Sequence, residues 1–130
     1  MTTQHTSTED ATIIISADKI IKITLNDNQF YDLNAYKRIA SVVHELAGNE
    51  KFPTIVYVGK NTTISDQLAI YSATDIGKKS ALCMAIVVKT LGKKLVLTKY
   101  LLSNILSVPV TIVNSEAEAM EWIKEKKTNI

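Results

Sequence analysis

Hydrophobic and polar residues follow two periods along this chain, and the switches between them mark its elements. The Thr-rich opening "MTTQHTSTED" offers nothing to bury and reads as a disordered polar tail over residues 1–10. "TIIISA" (residues 12–17) is a β-branched run that Asp18-Lys19 can turn. In "IIKITL" (residues 20–25), Ile21, Ile23 and Leu25 alternate with Lys22 and Thr24. Such alternation predicts a strand with one wet face, so the two runs form a hairpin, although Asp-Lys lacks the glycine of the tightest turns. From Asp32 the period changes: Leu33, Tyr36, Ile39, Ala40, Val43, Leu46 and Ala47 fall at helical spacing. Asp32 is placed as the N-cap of that helix and Gly48 as its stop.

"FPTIVYVG" (residues 52–59) is apolar almost throughout, as expected of a strand covered on both faces. A helix is predicted from near Ser65, using Leu68, Ala69 and Tyr71 and weakening around residues 74–77. "ALCMAIVVK" (residues 81–89) is a second fully apolar strand. Leu91, Leu95, Leu97, Leu101, Leu102, Ile105 and Leu106 give a helix with a broad apolar face. "PVTIVN" (residues 109–114) is a third such strand. The last helix, residues 115–126, opens with a capping box of Ser115 and Glu118. The order is β-β-α-β-α-β-α-β-α. Strands joined by helices require crossovers, which favour parallel neighbours. The expected fold is therefore α/β: a single-layer, mixed, mostly parallel sheet with an N-terminal β-hairpin and about four helices, in one domain over residues 11–127.

Composition narrows the function classes. The 130 residues suffice for one real core, and 46% hydrophobic with 22% charged residues is ordinary for a globular domain. A net charge of +2 and a single arginine, Arg38, argue against a nucleic-acid partner. Cys83 is the only cysteine, which precludes an internal disulfide and suits a reducing cytoplasm. The opening lacks the basic-then-apolar pattern of a signal peptide. "LVLTKYLLSNILSVPV" is interrupted by Lys99 and Asn104 and falls short of the roughly 20 apolar residues needed to span a bilayer, so integral membrane association is not expected.

The element order resembles that of the bacterial SpoIIAA-like (STAS) proteins, and more narrowly a branch also described as STAS/CRAL-TRIO-like. Residues 85–88, the Leu-rich stretch 95–106, the Pro-marked strand 109–113 and "EAEAMEWI" (residues 116–123) carry the resemblance, which covers roughly residues 12–126. It implies a compact module that works by binding protein partners. In the best-understood relatives a serine at the start of the helix after a central strand, in an Asp-Ser-(Ser/Thr)-Gly context, is phosphorylated by a partner kinase. The corresponding stretch here, "GKNTTIS" (residues 59–65), departs from that context but offers Thr62, Thr63 and Ser65.

Those hydroxyls have two readings. Thr63-x-x-Asp66 matches a helix cap, with Ser65 as an alternative. A phosphate would also be tolerated at a helix N-terminus, which makes Thr62, Thr63 and Ser65 a candidate switch loop. Gly59-Lys60 is not a phosphate loop. Thr54 stands where the first glycine of that motif belongs, and Asn61 where its hydroxyl belongs.

Lys60 and Lys89 each follow an apolar strand, and Lys93 and Lys94 open the next helix. Together they either solvate exposed turns or form a candidate anion or partner patch at the carboxyl edge of the sheet. His44 has no second ligand at metal spacing, and Cys83 within an apolar strand reads as a buried hydrophobe. Neither a catalytic set nor a cofactor or metal site is expected. Leu95, Leu101, Leu102 and Ile105 exceed what one sheet face needs, which fits a deeply packed core helix, a homodimer interface or the wall of an apolar ligand site. The expectation is a non-enzymatic regulatory module, a homodimer with a protein partner. A carrier or sensor of a small apolar or amphiphilic ligand is the alternative.

Overall fold

The computed structural model describes residues 4–7, 9–48, 50–64, 81–103 and 109–129. Its main sheet has six strands: β1 (Gln4–Ser7), β2 (Ala11–Ile15), β3 (Ile21–Leu25), β5 (Phe52–Val58), β7 (Ala81–Val88) and β8 (Val110–Val113), in that spatial order. A two-stranded parallel ladder of β4 (Phe30–Tyr31) and β6 (Thr63–Ile64) stands apart. Three helices complete the described residues: α1 (Leu33–Ala47), α2 (Leu91–Ser103) and α3 (Glu116–Asn129). β1, β2 and β3 pair antiparallel, while β3, β5, β7 and β8 run parallel. The mixed α/β sheet with an N-terminal hairpin is thus present. The helix expected from Ser65 and the end of the Leu-rich helix, including Ile105, lie outside the described residues.

One expectation is corrected. Among the described residues of the opening, Gln4–Ser7 is not a free tail but pairs with Ile15–Thr12 as an edge strand, and Asp10 is buried. Backbone hydrogen bonds hold a polar strand that has little to bury. The β2–β3 turn also differs in detail. Residues 16–20 close it, with Ser16 N donating to the Ile20 carbonyl at 3.0 Å, and Lys19 takes a left-handed φ of 63° without being glycine.

The sheet is packed on both faces. On one, Ile13, Ile15, Ile21, Ile23 and Phe52 meet Ala35, Ile39, Val43 and Ala47, which recur every four residues along α1. On the other, Ile55, Cys83, Ala85 and Val87 meet Ala119 and Ile123 of α3. Alternation along β7 serves both faces, which is why its sequence is apolar throughout. α1 is capped as expected: Asp32 Oδ1 accepts from Ala35 N at 2.9 Å, and Gly48, at φ 66°, donates its N–H to the His44 carbonyl. At α3 the Ser115 hydroxyl accepts from Glu118 N at 3.2 Å. The returning carboxylate reaches Asn114 N at 3.4 Å, one residue before the cap amide of a standard box.

Candidate functional site

Parallel strands bring their carboxyl ends to one edge of the sheet. Here that edge carries Asn26-Asp27 after β3, Gly59-Lys60 after β5, Lys89-Thr90 after β7 and Asn114-Ser115 after β8. Loops at such an edge are free to vary because the strands beneath them hold the fold.

Residues 59–62 form a latch between the ends of β3 and β5. Thr62 Oγ1 accepts from Gly59 N at 3.1 Å and donates to the Asn26 carbonyl at 3.3 Å. The Asp27 carboxylate accepts from Asn61 N at 2.8 Å and from Asn61 Nδ2 at 3.4 Å. A Cβ on Gly59 would lie 2.6 Å from Asp27 Oδ1 and 2.8 Å from Thr62 Oγ1, so any side chain there displaces one of the latch's own groups. Thr62 is 1% exposed with its hydroxyl engaged in both directions, so phosphorylation there would require the latch to open. Thr63 is exposed, and its place in β6 opposite Phe30 removes it as the N-cap. Ser65 lies outside the described residues.

The lysines divide between two places. Lys89 is exposed at the end of β7, and Lys93 and Lys94 are half-buried in the first turn of α2. Lys94 Nζ reaches Asn114 Oδ1 at 3.4 Å, tying α2 to the end of β8. Lys60 is exposed one strand away, beside the Asp27 latch. Leu95 is 62% exposed, and Leu91 and Val96, on the same surface of α2, are 71% and 53% exposed. Leu101 and Leu102 belong to α2, but their side chains, like Ile105, are outside the described residues. The apolar wall therefore extends toward the start of α2 rather than only along its later turns.

A sequence signal for this region was available. Between Asp75 and Glu116 the chain carries Lys78, Lys79, Lys89, Lys93, Lys94 and Lys99 and no Asp or Glu. That stretch contributes +6 to a net charge of +2, leaving −4 for the remainder. Overall charge hides this segregation.

Two polar clusters fasten the scaffold. Arg38 Nε and Nη2 donate to the buried Asp10 carboxylate at 2.9 Å each. Those hydrogen bonds outweigh burial and hold the Asp10 carboxyl below its ordinary 3.8. Tyr31 Oη donates to the Asp10 carbonyl and accepts from Asn26 N at 2.6 Å, and burial raises the phenol's pKa. Across the other face Tyr57 Oη donates to Glu116 Oε1, and Lys22 Nζ lies 3.3 Å from the same oxygen. Tyr57 is pushed up by burial and by the carboxylate, while its hydrogen bond lowers Glu116.

Among the described residues no group of three or more His, Cys, Asp or Glu is arranged to hold a metal ion. His44 is exposed in the last turn of α1, and Cys83 is buried. A shallow open groove of about 510 Å³ runs beside α3, lined by Ile20, Met120 and Ile123 with Asp18, Glu121 and Lys124 at its margin. No helix among the described residues is long and apolar enough to cross a membrane.

With this geometry in view, the sequence matches one family model over residues 13–127, described as "Domain of unknown function (DUF7793)". The chain belongs to the DUF7793 family. No curated protein matches it. A crystal structure of a protein with unknown function from Arthrobacter sp. FB24 is similar at 16% identity, covering 91% of this chain and 95% of that one with a TM-score of 0.35. The DUF7793 match spans the strands and helices described above from β2 through nearly all of α3, so it takes in both faces of the core.

Proposed function

We propose that this DUF7793 domain is a non-enzymatic, cytoplasmic regulatory module that binds a protein partner through α2 and the adjoining carboxyl edge of the sheet. The observation that carries this reading is the exposure of Leu91, Leu95 and Val96 on one helix surface. Isolated apolar side chains on a surface are ordinary, but a contiguous set rimmed by charge is what a partner can desiccate. Covering a large aliphatic side chain is worth about 1.5–3 kcal/mol. Lys89 and Lys93 stand at the rim, where charge guides encounter more than it adds affinity. The SpoIIAA-like resemblance agrees with this reading and is proposed with it.

Affinity purification from cells expressing the full chain tests it. A partner protein recovered in near-stoichiometric amount with wild type and lost with Leu91→Ser/Leu95→Ser, at unchanged circular dichroism, supports the reading. Equal recovery with both proteins contradicts it. The groove beside α3 favours the carrier reading second, through its apolar lining of Ile20, Met120 and Ile123. Native mass spectrometry separates the two: a small-molecule adduct that vanishes on denaturation would favour the groove.

A further inference from the structure

We propose that the partner presents an acidic amphipathic helix that packs along α2 with a side chain seated over Gly92. This rests on the protein-binding reading above and adds the partner's chemistry. On a helix surface residue i faces i±3 and i±4, and lies beside i±1 only along the steep i±1 row. Those neighbours of Gly92 on the C-terminal and preceding sides include Leu91, Leu95 and Val96, the three exposed aliphatics of α2. The glycine is thus a notch in the first turn of α2, bordered by these three apolar side chains and by Lys93. A Cβ at Gly92 would meet nothing within 4 Å, so the chain's own packing does not require glycine there. A notch between apolar ridges accepts a knob from a second helix.

Charge selects the partner's sign. Lys89 and Lys93 flank the notch and hold no ion pair among the described residues. With no acidic residue between Asp75 and Glu116, a second copy docked α2 to α2 would set lysine against lysine. An acidic helix instead pairs with this rim while its aliphatic residues cover Leu91, Leu95 and Val96. A membrane surface could answer to the same charge, but it would leave the notch without a defined knob.

The test is selection on the full chain from a displayed library of amphipathic helices, with leucines fixed at i and i+4 and the remaining positions randomised. Enriched peptides should carry Asp and Glu, weaken as salt rises, and lose about tenfold in affinity against Gly92→Phe or Lys89→Glu/Lys93→Glu. Gly92→Phe points into open space and should keep the wild-type melting temperature. Enrichment without acidic bias, or equal binding to Gly92→Phe, overturns the acidic-helix inference while the purification test of protein binding stands on its own. No enrichment also overturns it. Leu95-dependent binding to phosphatidylcholine vesicles containing phosphatidylserine would assign the surface to a membrane. Self-association abolished by Leu95→Ser would assign it to a second copy, and either result overturns the inference.

Discussion

Arg38 grips Asp10 through two parallel hydrogen bonds of 2.9 Å, and the carboxylate it holds is only 1% exposed. The pair joins α1 to the chain just before β2, while the Asp10 carbonyl accepts from Tyr31 Oη and Asn26 N. A buried carboxylate is tolerable only when paired, so losing Arg38 would leave an uncompensated charge inside the fold.

Acid should therefore weaken the fold in a specific way. The folded-state pKa of Asp10 is depressed below 3.8 by the Arg38 hydrogen bonds. Its contribution is present above the unfolded value and is lost as pH falls through the folded value. Urea unfolding of wild type should show a midpoint that drops in this acid window. Arg38→Met should have a lower midpoint at neutral pH and a shallower acid dependence. Equal acid dependence in the two proteins would contradict the pairing.

The latch between β3 and β5 gives a second expectation. Gly59→Ala forces Asp27 or Thr62 to move and should cost about 1–3 kcal/mol, the range for overpacking. Thr62→Val keeps the volume but strands the Gly59 N–H, at about 1–2 kcal/mol. Chemical denaturation of both variants checks this, and neutral substitutions would show that the loop is not closed.

Lys19 adopts a left-handed backbone that costs a non-glycine residue about 1–2 kcal/mol. Lys19→Gly should raise the melting temperature of the full chain, partly offset by the greater freedom of glycine when unfolded. A lower melting temperature would contradict the turn geometry.

Cys83 lies in β7 with no exposed surface. A thiol reagent should label native protein only as fast as it unfolds and should label denatured protein at once. Rapid labelling in the native state would place β7 at the surface and undo the two-sided core.

Much of this fold could be read from periodicity. The four-residue stripe of α1, its Asp32 and Gly48 ends, and the doubly covered strands β5 and β7 all follow from local pattern. What escaped depends on distant or backbone terms. β1 is polar and held by its ladder, β4 and β6 pair over two residues each, and Arg38 meets Asp10 across 28 positions. At the candidate site the lysines were legible as strand-end residues. The apolar surplus at Leu95 was legible too, but the exposure of Leu91 and Val96 was not, since an apolar helix reads the same whether its outer face meets this chain or another.

Site-specific photo-cross-linking in cells addresses the proposed interface most directly. A photoreactive residue replaces Leu95 in one protein and Glu45, exposed on α1, in a control. A discrete cross-linked protein from position 95 and none from position 45 is the result predicted here. Equal cross-linking from both positions, or none from position 95, would contradict α2 as the binding surface.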